Sequence, residues 1–145
     1  MKKIVYSIYP VFINVYTIWL LYMMFFAYNR STADPVLYEI RAYPFDTLKH
    51  LIFEENYGTE KYRNLLGNIA GFIPYGFLGI LYPKLSRYIP LFITFFIAIN
   101  YIEFSQYFFK RGYAELDDVM MNTFGMTIGF LIYKIFFARS GEKST

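Results

Sequence analysis

The stretch YIPLFITFFIAINYIEFSQYFFKR, residues 88–111, decides the fold. Residues 88–102 carry no charge, a single acid follows at Glu103, and Lys110 and Arg111 close the run. At about 1.5 Å per residue, a helix over 88–109 is long enough to cross a hydrocarbon core of about 30 Å. Similar runs lie on both sides of it. Residues 4–29 are uncharged, residues 64–83 are uncharged and are followed by Lys84 and Arg87, and residues 119–138 carry only Lys134, close enough to the end to snorkel. The pattern predicts an all-α polytopic membrane protein with four transmembrane helices, at about 4–28, 64–83, 88–109 and 119–138, forming one membrane domain over residues 1–145.

Composition agrees with that reading. Of the 145 residues 57% are apolar and 17% are charged, against roughly 45–50% and 25% in soluble domains. Aromatic residues make up 23%, and such rings favour the boundary between acyl chains and head groups. Disorder, collagen and disulfide scaffolds are excluded. The absence of cysteine removes thiol nucleophiles, zinc–thiolate and iron–sulfur sites, and acylation anchors. A net charge of +3 does not point to nucleic acid, because the basic residues are scattered among apolar blocks instead of lining one stripe. Lys2 and Lys3 before the first run would suit a signal peptide. The run, however, exceeds a 7–15-residue signal core and no A-x-A site follows, so it is expected to remain as an anchor.

Orientation follows from the basic residues. If four spans alternate, Lys2, Lys3, Lys84, Arg87, Lys134, Arg139 and Lys143 share one side with only Glu142 opposing them, which predicts that both termini are cytoplasmic. The outer side then holds the long connection over 30–63 and the short one over 110–118. Within the long connection, Ala42-Tyr43-Pro44-Phe45 followed by Leu48, Leu51, Ile52 and Phe53 at helical spacing predicts a loop with a short interfacial helix.

Spans two and four echo each other. Glu60-x-x-x-Asn64-x-x-Gly67-x-x-x-Gly71-Phe72 matches Asp118-x-x-x-Asn122-x-x-Gly125-x-x-x-Gly129-Phe130, position for position, 58 residues on. Two repeated helical hairpins would produce this. Small residues that merely let helices approach would produce it equally well.

Polar residues concentrate in the outer half of the spans. Asn64, Asn68, Asn100, Glu103, Gln106, Asp118 and Asn122 all fall there, and the inner half holds almost nothing polar. Glu103 sits about 9 Å below residue 109, where an acid costs a few kcal/mol unless it is paired, protonated or facing water. An outward polar site is expected, with Asn64, Asn68, Glu103, Gln106, Arg111, Asp118 and Asn122 as binding residues and Asn68, Glu103 and Asn122 facing one another. Lys61, Arg63, Lys110 and Arg111 would stand at its mouth, suited to a phosphate or carboxylate on a head group. Structural roles compete with this reading: a buried Glu103 bonded to Asn122 or Asn68 to fix register, or Asp117 or Asp118 as the N-cap of the fourth span.

Two kinds of activity fit these residues, while a third, transport, rests on the repeat alone and lacks a polar path through the inner half. One is non-enzymatic binding of an anionic or lipid-linked head group. The other is membrane-embedded catalysis on such a group, with candidates Glu103, Asp117, Asp118 and Arg111, and it requires the carboxylates to converge. A Mg²⁺ or Ca²⁺ held by Glu103, Asp117 and Asp118 is the less favoured alternative, and no metal or cofactor is expected. No Walker, G-x-G-x-x-G, G-x-S-x-G or H-E-x-x-H signature occurs, and His50 is the one histidine. Ser105 shares no helix face with Glu103. The expected partners are membrane lipids and a lipid-linked envelope precursor, not nucleic acid.

The motifs also resemble a known family. Asn64-Leu65-Leu66-Gly67-Asn68 with Phe72-x-Pro74-x-Gly76, Ile102-Glu103-x-x-Gln106, and Arg111-Gly112-x-x-Glu115-Leu116-Asp117-Asp118-x-x-x-Asn122-Thr123-x-Gly125 are similar to the bacterial VanZ-like family over residues 44–133. Pro44-Phe45-Asp46-Thr47 fits the second half of the family's Asn-Leu-x-Pro-Phe-x-Thr segment, and Arg41 stands where its Asn would be. The resemblance implies a small multi-pass protein of the bacterial cell membrane whose namesake confers resistance to the glycopeptide teicoplanin. It assigns no reaction.

Overall fold

The structure is a computed structural model that describes residues 2–26, 40–41, 45, 49, 59–111 and 114–137. Helix α1 (Lys2–Phe25) is followed by a short strand β1 (Ile40–Arg41) and helix α2 (Thr59–Phe72). Without a break, α2 continues as a 3-10 segment (Ile73–Ile80), and a 3-10 turn (Pro83–Ser86) leads into α3 (Tyr88–Phe108). Strand β2 (Ala114–Glu115) precedes α4 (Leu116–Phe136). Apart from the two-residue parallel bridge between β1 and β2, with Ile40 opposite Ala114 and Arg41 opposite Glu115, the described elements are helical.

Helices α1, α3 and α4 are long and apolar enough to cross a membrane. The remaining apolar segment, Leu65–Ile80, has fewer residues, and its second half is not the α-helix expected there. Pro74 is the reason. It has no N–H to donate and its ring crowds the preceding turn, which favours a change of winding there, although α1 carries Pro10 inside an unbroken α-helix. The tighter 3-10 winding rises about 2.0 Å per residue instead of 1.5 Å, which brings Leu65–Ile80 to about 28 Å. That reach is close to the thickness of the core.

The change of winding leaves a carbonyl to satisfy. Gly71 O would accept from residue 74 in a 3-10 helix, and Pro74 cannot donate. The Tyr16 hydroxyl of α1 donates to Gly71 O at 2.8 Å. Tyr9 donates to Pro74 O at 2.9 Å, and Tyr75 donates to Thr17 Oγ1 at 3.0 Å. In lipid, where no water can serve the backbone, these bonds fasten α1 to the irregular segment.

Helix α4 is the centre of the bundle. Along α3, Leu91, Phe95, Ile99, Glu103 and Gln106 are buried at helical spacing, and the apolar ones join Phe72, Val119, Met126, Phe130 and Tyr133 in one core. Helices α2 and α4 run parallel at backbone contact: a Cβ at Gly125 would overlap Ile69 O, and one at Gly129 would overlap Ile73 O. Small residues are what permits such an approach. The outer faces are largely apolar, with Ile8, Val11, Ile18, Ile93, Ile97, Phe104, Leu131 and Ile135 all more than half exposed. Patches of this extent are foreign to soluble monomers and natural to a protein of the membrane.

Helix α3 stops abruptly. Arg111 N donates to Gln106 O at 2.8 Å and Lys110 N to Tyr107 O at 3.1 Å, the two bonds of a Schellman motif. Lys110 occupies the left-handed position, φ 55°, that glycine usually takes. The expected interfacial helix over 48–53 lies outside the described residues except for Lys49, whose N–H donates to Phe45 O at 2.8 Å. His50 is likewise outside them.

Candidate functional site

Helix α4 carries the polar side chains that link its neighbours. Asp118 and Asn122 lie one turn apart on one face of α4. Asn68 of α2 donates through Nδ2 to Asp118 Oδ1 at 2.7 Å, and Asn122 donates through Nδ2 to Glu103 Oε1 of α3 at 3.3 Å. A polar chain therefore runs from α2 through α4 to α3. Glu103 is 3% exposed and Asn122 1% exposed. A buried carboxylate is tolerated only with partners, and the Asn122 amide is one. The amide oxygen, Asn122 Oδ1, is buried and accepts no hydrogen bond among the described residues.

The other expected site residues are distributed around this chain. Gln106 is buried, but its Nε2 donates to Met24 O of α1 at 2.8 Å, so it joins α3 to α1. Arg111 is half-buried, with its guanidinium 5.6 Å over the Phe26 ring, a cation–π contact just beyond α1. Asp117 is buried, and its Oδ1 accepts from Phe45 N at 2.7 Å. Phe45 itself is held at φ 66°. The side chains of Asn64, Lys61 and Arg63 lie outside the described residues.

Neither Asp117 nor Asp118 is the N-cap of α4; that position is Glu115, without a side-chain capping bond. Both aspartates instead sit in the first turn, where the helix dipole favours negative charge, and reach outward to Phe45 and Asn68. Glu103, Asp117 and Asp118 do not gather into a cation site, since no group of three potential ligands forms among the described residues. Asn100, counted with the polar residues of the outer half, is exposed and turns its Nδ2 to Phe96 O of its own helix. Ser105 likewise bonds back to Tyr101 O.

Two features escaped the sequence reading: the β1–β2 bridge and the Asp117–Phe45 bond. Together they tie the connection between α1 and α2 to the start of α4. A signal for the second exists, because Phe45 stands inside the Pro44-Phe45-Asp46-Thr47 segment and Asp117 is the first acid of a consecutive pair. Neither feature follows from periodicity.

Chemically, the centre offers amides and carboxylates, and Arg111, at the end of α3, carries a guanidinium over the Phe26 ring. Such a set can accept from hydroxyls or amines and can hold an anion at its guanidinium end. Among known protein families, the one described as VanZ/LLP1 matches the chain over residues 13–137. No curated protein and no solved structure matches it.

Proposed function

The chain belongs to the VanZ/LLP1 family, and on that premise we propose a four-span protein of the bacterial cell membrane, both termini cytoplasmic, that binds a lipid-linked or other anionic envelope head group from the outer face. Four spans are supported by the reach of Leu65–Ile80, about 28 Å once half of it is wound as a 3-10 helix. Orientation is supported by Lys2, Lys3, Lys84, Arg87 and Lys134, which then share the inner side. Reporter fusions after Ser31 and after Ser86 are expected to read outside and inside respectively. The reverse pattern would turn the polar site toward the cytoplasm and end the envelope reading.

The observation that carries the binding reading is Asn122 Oδ1. A buried acceptor without a donor among the described residues costs about 1–3 kcal/mol, and a hydroxyl or amine of a head group would remove that cost. Arg111, held over Phe26, supplies the complementary cation for a phosphate or carboxylate on the same ligand. Binding is favoured over catalysis because Asp118 and Glu103 each accept from an amide, Asn68 and Asn122. A general base needs its carboxylate at the proton it removes. The link to teicoplanin resistance belongs to this proposal as its expected phenotype.

Native mass spectrometry of the purified protein is the test. Wild-type protein should retain a lipid or envelope precursor, and Asn122→Leu should lose it, with abundance checked in parallel because the leucine also removes an amide partner of the buried Glu103 carboxylate. Glu103→Gln, which keeps shape and removes ionisation, should accumulate normally and abolish whatever drug-susceptibility phenotype the deletion has. A wild-type protein that carries nothing, or an Asn122→Leu variant that retains the same species, would sink the reading.

A further inference from the structure

Helix α1 leaves one face turned away from the bundle, and that face is not uniformly apolar. Its midline is Ile4, Ile8, Val11, Val15, Ile18 and Tyr22, each between 58% and 71% exposed. On one flank stand Ser7 and Asn14, a heptad apart and both exposed; on the other stand Phe12 and Trp19, also a heptad apart and exposed. Lipid alone would cover the β-branched midline well. It does not explain Asn14.

Asn14 lies about 16 Å beyond Lys3 along the helix, near the middle of a core about 30 Å thick. Its Nδ2 bonds to Pro10 O of its own helix at 2.7 Å. That leaves the amide oxygen and the second amide hydrogen facing acyl chains, where neither can be satisfied. The Trp19 indole N–H, a donor only, forms no hydrogen bond among the described residues and is on the same exposed side.

We propose that α1 pairs with α1 of a second copy of this chain, side by side and parallel, about a two-fold axis along the membrane normal. The midline positions, separated by four, three, four, three and four residues, form the seam of a left-handed pair, with the two flanking rows at its margins. In that geometry a flanking residue of one helix meets the residue five further along the other. Asn14 therefore meets the partner's Trp19, and Ser7 meets the partner's Phe12. The indole N–H then donates to the Asn14 amide oxygen, twice by symmetry. A second copy is favoured over an unrelated helix because both halves of the contact, acceptor and donor, are on this one face at the correct spacing. Two copies inserted in the same direction also place them at matching depths automatically.

The chain contains no cysteine, so single cysteines report the contact directly in native membranes. Val11→Cys and Ile18→Cys are expected to give disulfide-linked dimers, which require Cα atoms within about 7 Å. Ile97→Cys and Phe104→Cys, equally exposed on α3, control for random collision and should remain monomeric. Asn14→Leu should weaken the dimer by about tenfold, the scale of one interhelical polar contact, and Asn14→Gln should restore part of it. Equal cross-linking at the α1 and α3 positions, or an Asn14→Leu dimer of wild-type strength, would overturn the proposal and leave the face to lipid. Pull-down of a different protein in place of the second copy would overturn it too.

Discussion

Helix α2 with its 3-10 continuation and helix α4 share a residue register and use it differently. Phe72 and Phe130 occupy matching positions, and both are buried in the core. The glycines part company. Gly125 and Gly129 press against carbonyls of the neighbouring segment, whereas Gly67 has nothing within 4 Å and Gly71 meets only Leu20 Cδ1 at 3.7 Å and the Tyr16 hydroxyl at 3.8 Å. Helix α4 runs on to Phe136, while α2 gives way at Ile73 because Pro74 stands where α4 has Ile132. A repeated spacing thus fixes which residues share a face. It does not fix which neighbour that face meets.

The largest expected effect tests this asymmetry at the glycines. Gly129→Ala drives a methyl into the backbone of residue 73, and overpacking against atoms that cannot swing aside should cost about 3 kcal/mol or more. Gly67→Ala should be neutral or stabilising by about 0.5–1 kcal/mol, since alanine is the better helix former and the space is open. Thermal unfolding of the two variants in one detergent measures the difference. Equal losses would mean that the two repeats pack alike after all.

Tyr16 supplies the next test. Tyr16→Phe strands Gly71 O in an apolar setting and should cost about 1–3 kcal/mol. In a Pro74→Ala background the restored α-helix lets residue 75 donate to that carbonyl, so the same change should cost less than half as much. A double-mutant cycle isolates the coupling. Additive effects would show that proline is not what leaves the carbonyl open.

The smallest effect concerns the link between α4 and the connection that joins α1 to α2. Asp117→Asn keeps an acceptor for the Phe45 N–H and should cost less than about 1 kcal/mol, whereas Asp117→Ala removes it and should cost about 1–3 kcal/mol. Protease accessibility of that connection in detergent, read alongside unfolding, distinguishes loss of that tether from a general loss of stability. Indistinguishable Asn and Ala variants would deny the bond any weight.

Much of this was legible without coordinates. Charge-free runs located α1, α3 and α4, and the cost of an acid within a span singled out Glu103. The Asn122–Glu103 contact stood among the alternatives, because few partners lie at the right depth. Three things were not legible. Gln106 lies one turn from Glu103 yet serves Met24 O, since a helical wheel ranks faces without identifying neighbours. The fate of Pro74 required knowing that Tyr16 would reach Gly71. The parallel bridge joins residues more than seventy positions apart and rests on two backbone residues per strand, too few for any periodic signal. A local hint did exist: glycines four apart, as at Gly125 and Gly129, suit an α-helix, whereas Gly76 and Gly79, three apart, suit a 3-10 helix.

That difference in spacing has an angular consequence. An α-helix turns about 100° per residue and a 3-10 helix about 120°, so the eight residues Ile73–Ile80 accumulate about 160° of extra rotation. Side chains near the end of the segment therefore point almost opposite to where a uniform α-helix would aim them. The second span acts as a phase shifter: it meets α4 at Ile69 and again at Gly76, one heptad on, and the added rotation changes the faces that the residues beyond Gly76 present. Changing Pro74 should rotate Leu78 and Leu81 around the span as well as shorten it, and site-directed spin labels at those positions would register the turn as a change in depth and contact.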